Sequence, residues 1–118
     1  MTPSTPPPVT LALVDDSELV RAGLRSLLGT SPALKIVAEA GSVAEGLSRI
    51  REARPDVALV DIRLPDGTGF DLCTALTDPP EGPRVLFLTS VVDDALVARA
   101  IESGAAGYLL KEINPKGF

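Results

Sequence analysis

The chain has 118 residues, 45% of them hydrophobic and only 3% aromatic, which allows one domain with an aliphatic core. Sixteen acidic against eleven basic residues give a net charge of −5, which argues against direct binding of a nucleic-acid backbone. No apolar run approaches the roughly 18–20 residues that span a bilayer, so no membrane partner is expected.

The N-terminus and the cysteine content bear on location. Residues 1–8 are rich in proline and threonine and lack a signal-peptide pattern, so we predict a flexible tail. The single cysteine, Cys73, cannot form an internal disulfide and lies on an apolar helical stripe, which predicts a core position. Together these features favour a cytoplasmic protein.

Short apolar runs predict five strands, at residues 9–14, 34–38, 57–60, 85–88 and 108–110. The first, third and fourth runs are nearly continuous, which is typical of strands buried on both faces of a parallel sheet. Helical spacing of apolar residues lies between the runs, so strands and helices alternate along the chain. This order predicts a parallel sheet with helices on both faces.

Capping signals mark the helices. Gly29 is expected to stop the first helix, on which Arg21 and Arg25 share a face and are predicted to be solvated. Ser42 and Glu45 form a capping-box signature at the start of the second helix. Asn114 and the proline after it predict the start of a fifth helix, which the residues up to 118 do not complete.

Polar residues follow four of the five predicted strands, and they are Asp15 and Asp16, Asp61, Thr89 and Ser90, and Lys111. Ligands of doubly wound sheets bind outside the carboxyl ends of the strands, so these side chains are expected to form a site. Three carboxylates there would repel one another, and Mg²⁺ suits such a site because it favours carboxylate oxygens. A carboxylate can also act as a nucleophile and form an aspartyl-phosphate.

Each of these residues, taken alone, has an ordinary structural interpretation. Asp15 or Asp16 would simply cap the following helix, and Thr89 would be a common strand residue. Lys111 would be a solvated surface charge. The combination at four strand ends is what favours phosphoryl transfer.

The chain resembles the receiver domain of two-component response regulators, most closely the NarL/FixJ type. The matching segments are LVDDSE at 13–18, PDVALVDIRLPDG at 55–67, LTS at 88–90 and GAAGYLLK at 104–111. The paired aspartates alone are a weak motif, whereas the full set in this order is highly specific. In departures from the family, Ser17 stands where this subgroup often has histidine, and Glu112 where many receivers have proline.

The resemblance implies an α/β, flavodoxin-like fold, with a doubly wound five-stranded parallel sheet of strand order 2-1-3-4-5. Residues 9–118 would form the receiver domain, with its fifth helix truncated. Apolar surface exposed by that truncation would favour self-association, so a homodimer is one expected form.

The resemblance also implies a role for each site residue. Asp61 would be the phosphoacceptor. Asp16, Asp61 and the backbone carbonyl of Arg63 would bind Mg²⁺ directly, and Asp15 would bind it through water.

Further residues would contact the phosphoryl group or respond to it. Thr89 and Lys111 would act with Asp61 on the phosphoryl group, and the small Ser90 would leave the approach open. Thr89 and Tyr108 would form the conformational switch.

A sensor histidine kinase is the implied partner, because these 118 residues contain no histidine to serve as the phosphodonor. DNA would be bound only through an output domain outside these residues. The domain would catalyse its own phosphorylation and slow dephosphorylation, and it would not be a turnover enzyme.

Two other classes of protein remain as alternatives. A pseudo-receiver would bind partners without phosphate, and the complete acidic set argues against it. A flavodoxin or a phosphatase of the haloacid dehalogenase type would need other residues after the first strand than Asp15 and Asp16.

Overall fold

The computed structural model describes residues 7–76, 82–89 and 93–110 of the chain. In chain order the strands are β1 (Val9–Val14), β2 (Leu34–Ala40), β3 (Val57–Asp61), β4 (Arg63–Leu64), β5 (Gly67–Thr68), β6 (Arg84–Thr89) and β7 (Gly107–Leu110). Five of them form a parallel sheet in the order β2-β1-β3-β6-β7. The two short strands β4 and β5 form a separate antiparallel pair.

The sheet confirms the predicted flavodoxin-like order. The sequence predicted five strands in the order 2-1-3-4-5, and β6 and β7 are the fourth and fifth of these once the β4–β5 pair is set aside. Each observed strand covers its predicted run, and all but the first extend beyond it. The third strand continues to Asp61, so this carboxylate stands on the last residue of a strand.

Four helices lie between the strands: α1 (Glu18–Leu28), α2 (Val43–Ala53), α3 (Gly69–Leu76) and α4 (Asp94–Glu102). Gly29 is the C-cap of α1, as predicted. The predicted fifth helix and residues 1–6 of the predicted tail lie outside the described residues. None of the described helices has both the length and the apolar character needed to cross a bilayer.

The capping box at α2 is confirmed in one of its two hydrogen bonds. The Ser42 hydroxyl accepts a hydrogen bond from the Glu45 backbone N–H at 3.1 Å. The Glu45 carboxylate, however, accepts from the backbone N–H of Gly41 at 3.2 Å, one residue before the expected donor. Ser42 therefore caps the helix as predicted, whereas the bond to the Glu45 carboxylate comes from Gly41 and not from Ser42.

The core occupies both faces of the sheet because alternate strand residues point to opposite sides. One face carries the larger cluster, in which Val14, Val60 and Phe87 pack with residues of α2, α3 and α4. On the other face, Leu13, Leu59 and Leu88 pack with residues of α1. This arrangement of helices on both faces is the predicted doubly wound architecture.

Cys73 lies in the larger cluster with no exposed surface, so its predicted core position is confirmed. Burial raises the pKa of the Cys73 thiol, and the Sγ atom donates a hydrogen bond to the backbone carbonyl of Ser103 at 3.4 Å. The thiol therefore stays protonated and shielded in the folded protein.

Candidate metal centre

Three carboxylates meet at the carboxyl edge of the sheet. Val14 of β1 is paired in register with Val60 of β3, so the residues that follow them lie side by side. One carboxylate oxygen from each of Asp15, Asp16 and Asp61 can be chosen so that all three lie within 4.8 Å of one another. Asp15 is buried, Asp61 is half-buried and Asp16 is exposed, so the cluster opens from the core towards solvent.

Asp15 is held at several of its atoms. Its backbone N–H donates to the carbonyl of Ala40 on β2 at 3.0 Å. One oxygen of its carboxylate accepts from the backbone N–H of Ser17 at 2.9 Å. The backbone carbonyl of Asp15 accepts from Nη1 of Arg21. The loop after β1 is therefore tied both to the neighbouring strand and to α1.

The N-cap of α1 decides between two interpretations of the paired aspartates. The hydroxyl of Ser17 accepts from the backbone N–H of Val20 at 3.3 Å, which makes Ser17 the N-cap. Asp15 and Asp16 precede the cap, so the alternative in which one of them merely caps this helix is wrong. Their carboxylates are placed at the cluster instead.

Asp61 is positioned by the tight start of α3. A Cβ atom on residue 69 would stand 2.4 Å from the Asp61 carbonyl oxygen, a distance that only glycine avoids. The Gly69 backbone N–H donates to the carbonyl of Ile62 at 2.7 Å. The segment after β3 therefore turns back closely against the strand end that carries Asp61.

Residues 64–67 form the turn that connects β4 and β5, where Leu64 pairs with Gly67. The Asp66 carboxylate in this turn accepts hydrogen bonds from the backbone N–H groups of Val43 at 2.7 Å and Ala44 at 3.0 Å. These bonds, that from Ala44 first, hold the pKa of Asp66 below its usual range. The turn beside Asp61 is thus fastened to the first residues of α2.

This role of Asp66 was not predicted from the sequence, where the residue stood out only as part of the segment at 55–67 that resembles the receiver family. The helix whose N–H groups donate to Asp66 begins 23 residues earlier in the chain. No local pattern pairs an acidic turn residue with so distant a helix start. The backbone N–H groups at a helix N-terminus readily donate to acidic side chains, but the sequence does not reveal which side chain accepts from α2.

Two further predicted residues lie on the neighbouring strands. Leu88 of β6 is paired with Asp61, so Thr89 stands one residue beyond that register position, and it is 6% exposed. Tyr108 of β7 is paired with Phe87, is half-buried and packs against the larger core cluster. Thr89 is thus placed at the edge that carries the cluster.

Arg63 follows Asp61 by two residues and lies on β4 with an exposed side chain. The predicted ligand there is its backbone carbonyl, whose role stays a prediction. Lys111 and Ser90 lie outside the described residues, and their roles also stay predictions.

One prediction about α1 is wrong. Arg25 is 43% exposed along its side chain, but Arg21 is only 17% exposed and is not solvated. The Nε atom of Arg21 lies 3.3 Å from a carboxylate oxygen of Glu39, and Arg25 pairs with the same oxygen. The helical periodicity placed both arginines on one face but could not reveal that both pair with Glu39 of β2.

The donor set of the cluster fits a hard divalent cation. Mg²⁺ is bound in proteins by one or two carboxylates together with waters and phosphate oxygens. Three aspartate carboxylates at one point, one of them desolvated, repel one another unless a cation offsets their charge. Asp15, Asp16 and Asp61 supply the required oxygens at the required spacing, so the residues present fit Mg²⁺.

Comparison with known proteins identifies the family. Residues 11–118 match the response regulator receiver domain. The chain is 51% identical over 105 residues to the DNA-binding transcriptional activator DevR/DosR of Mycobacterium tuberculosis, covering 89% of this chain and 48% of that protein. It is 38% identical over 107 residues to the transcriptional regulatory protein UhpA of Escherichia coli, covering 91% and 53%. The chain thus spans about half the length of these relatives.

Solved structures agree with this assignment. The signal receiver domain of the putative response regulator NarL from Mycobacterium tuberculosis matches with a TM-score of 0.85 and 36% identity, covering 92% of this chain and 88% of that one. A LuxR-family two-component response regulator from Aurantimonas matches with a TM-score of 0.85 and 32% identity, covering 92% and 78%. The chain therefore belongs to the response regulator receiver domain family, among relatives of the NarL and LuxR type.

Proposed function

We propose that this receiver domain accepts a phosphoryl group on Asp61 from a sensor histidine kinase, in the presence of Mg²⁺, and switches conformation in response. The observation that carries the proposal is the meeting of the Asp15, Asp16 and Asp61 carboxylates within 4.8 Å at the carboxyl edge of the sheet. This is the edge at which doubly wound proteins bind their ligands. Membership of the receiver family supports the same function.

The different exposure of the three carboxylates supports direct contact with the metal by two of them and contact through water by the third. Asp16 is exposed and Asp61 half-buried, so both can reach a cation directly. The backbone carbonyl of Arg63 would be the third direct ligand, as the family resemblance implies. Asp15 is buried and one of its oxygens already accepts from the Ser17 N–H, which favours contact through water. When bound, Mg²⁺ supplies positive charge that offsets the carboxylates and the phosphoryl oxygens.

The reaction is a displacement at phosphorus. A carboxylate oxygen of Asp61 forms a bond to the phosphorus of a phosphohistidine while the P–N bond breaks, and the electron pair of that bond leaves with the imidazole nitrogen. The donor imidazole lies outside these 118 residues, which contain no histidine. Slow attack of water on the acyl phosphate breaks the bond between phosphorus and the Asp61 oxygen and releases inorganic phosphate, so the domain resets without turning over a separate substrate.

The phosphoryl group would be held by residues on the neighbouring strands. The Thr89 hydroxyl can donate to a phosphoryl oxygen, and its place one residue beyond the partner of Asp61 supports this contact. Lys111 would pair its ammonium group with another oxygen.

The switch would run from Thr89 to Tyr108. Movement of the Thr89 hydroxyl towards the new charge would free space for the half-buried Tyr108 ring on the next strand. A shift in the populations of two states would then change the surface formed by α4 and β7.

The rest of the proposal concerns partners and location. The chain covers about half of relatives described as transcriptional regulators, so we propose that the domain controls a DNA-binding output domain outside these residues. We also propose that the domain forms a homodimer and that the protein is cytoplasmic. Light scattering after size exclusion, with and without phosphorylation, tests self-association directly.

Labelling by a small phosphodonor tests the function. The chain is incubated with phosphoramidate or acetyl phosphate, with and without Mg²⁺, and the intact mass is recorded before and after treatment with hydroxylamine. We expect one Mg²⁺-dependent, hydroxylamine-labile phosphoryl group, which Asp61→Asn abolishes. The matched control is Asp56→Asn, which changes an exposed aspartate beside the opposite end of the same strand and keeps an acceptor for Thr10.

The outcomes separate the alternatives. Equal labelling of Asp61→Asn and the parent chain would show that the acceptor is elsewhere. No labelling of the parent, together with no Mg²⁺ binding at millimolar metal, would favour a pseudo-receiver that signals without phosphate.

A further inference from the structure

A half-buried arginine beside the acidic cluster has no part in the proposed phosphoryl transfer. Arg21 lies on the first turns of α1, and its Nη1 atom donates to the backbone carbonyl of Asp15. Its side chain is only 17% exposed, although arginine side chains mostly lie in solvent. Such burial requires partners for the guanidinium and places its charge next to the loop that carries Asp15 and Asp16.

The guanidinium is fixed from two sides. Its Nε atom is buried and lies 3.3 Å from a Glu39 carboxylate oxygen, without the alignment of a hydrogen bond to any described residue. Nη1 also lies close to Gly41 at the end of β2, since a Cβ built there would stand 3.4 Å from that atom and 3.8 Å from the Cα of Asp16. The arginine is thus wedged between β2 and the loop after β1.

The bond to the Asp15 carbonyl completes a set of anchors on that residue. The Asp15 N–H donates to Ala40, its carboxylate accepts from Ser17, and its carbonyl accepts from Arg21. Of these contacts, only the one from Arg21 carries a formal positive charge. It acts on the peptide group between Asp15 and Asp16, and therefore on the direction in which both carboxylates leave the backbone.

We propose that Arg21 is a positioning residue for the metal centre: its guanidinium, held by Glu39, fixes the peptide between Asp15 and Asp16 and so sets the geometry in which their carboxylates meet Asp61. The inference rests on the proposed function, because the geometry matters through the cation that it serves. Residues that orient metal ligands from outside typically change metal affinity by about 10–100-fold when they are replaced.

The ordinary alternative is that Arg21 only fastens α1 to β2 through Glu39. Arg25 separates the two explanations, because it pairs with the same carboxylate oxygen of Glu39 but makes no described contact with Asp15. Arg21→Gln removes both the pair with Glu39 and the bond to the loop, whereas Arg25→Gln removes only a pair with Glu39. A difference between the two variants therefore reports on the loop.

The test has a metal-free and a metal-dependent readout. In the metal-free chain, amide hydrogen exchange at Asp15 and Ser17 is measured by NMR, and we expect it to accelerate about tenfold in Arg21→Gln but by less than about twofold in Arg25→Gln. Calorimetric titration with Mg²⁺ should show a dissociation constant raised about tenfold in Arg21→Gln and nearly unchanged in Arg25→Gln. Equal behaviour of the two variants in amide exchange would overturn the proposal.

Failure of this proposal and of the function can be told apart. A parent chain that binds no Mg²⁺ would contradict the proposed function, while amide exchange would still decide whether Arg21 fixes the loop. If Arg21→Gln does not fold, Arg21→Lys replaces it, since lysine keeps the charge but cannot hold Glu39 and the Asp15 carbonyl together through one planar group. Faster exchange at Asp15 and Ser17 in a folded Arg21→Lys than in Arg25→Gln would support the proposal, and exchange equal to that of Arg25→Gln would overturn it.

Discussion

Gly69 and Asp61 touch through their backbones, since a Cβ atom on residue 69 would stand 2.4 Å from the Asp61 carbonyl oxygen. The same atom would lie 3.0 Å from the ring of Phe87 and 3.0 Å from the side chain of Val60. The start of α3 is therefore fitted to the strand end that carries the proposed acceptor, and the fit leaves no room for a methyl group.

Replacing Gly69 with alanine should destabilise the domain. The added Cβ must displace backbone and core atoms, and overpacking of this kind costs about 1–3 kcal/mol in the free energy of unfolding. Urea unfolding followed by circular dichroism measures the change. The matched control is Gly23→Ala on the exposed face of α1, where a Cβ meets nothing within 4 Å.

That control should move in the opposite direction. Alanine in the interior of a helix is favoured over glycine by about 0.5–1 kcal/mol, so Gly23→Ala is expected to stabilise the domain. A Gly69→Ala variant as stable as the parent would mean that the contact between residue 69 and Asp61 is not as close as described.

Asp66 should make the stability of the domain depend on pH. Hydrogen bonds from Ala44 and Val43 lower the pKa of Asp66 in the folded state relative to the unfolded state. The stabilisation is therefore present above the unfolded pKa and is lost as the pH falls through the folded pKa. Asp66→Asn should lower the Tm at neutral pH, and this difference should shrink in acid.

Thermal unfolding of the parent and Asp66→Asn over a range of acidic pH values checks this expectation. A matched control is Asp94→Asn, which removes an exposed aspartate from the first turn of α4. A constant difference in Tm at every pH would indicate that the carboxylate charge of Asp66 is not what fastens the turn to α2.

Asp16 is the most exposed member of the acidic cluster, so its replacement should weaken metal binding without harming the fold. Asp16→Asn removes one negative charge from the site and should raise the Mg²⁺ dissociation constant by at least about tenfold. Calorimetric titration gives the affinity, and the Tm without metal should not fall. Unaltered Mg²⁺ affinity in this variant would exclude Asp16 as a ligand.

Cys73 should report the opening of the core. It has no exposed surface, and its raised pKa keeps the thiol protonated, so a thiol reagent should not label the native protein at a measurable rate. Because it is the single cysteine of the chain, the labelling rate in increasing urea should follow global unfolding. Rapid labelling in the absence of urea would contradict the described packing of α3 on the sheet.

The strand order and the acidic cluster could be predicted from the sequence because both depend on local patterns. Continuous apolar runs identify strands buried on both faces, and the residues that end them must meet at one edge of a parallel sheet. Asp15, Asp16 and Asp61 were assigned in this way, and the structure brings their carboxylates together.

Contacts between side chains and distant backbone groups could not be predicted in the same way. Arg21 was expected in solvent, since its helical position says nothing about Glu39 on the next strand. The bonds from α2 to Asp66 were likewise unforeseen. Each depends on how elements approach one another, which periodicity along one element does not specify.

The central claim is that Asp61 carries the phosphoryl group, and chemical trapping of the acyl phosphate tests it most directly. The chain is phosphorylated with acetyl phosphate and Mg²⁺, reduced with borohydride, digested and sequenced by tandem mass spectrometry. Borohydride converts a phosphorylated aspartate to homoserine, and we predict this conversion at residue 61 alone. Homoserine at Asp15 or Asp16 with an unmodified Asp61 would contradict the account.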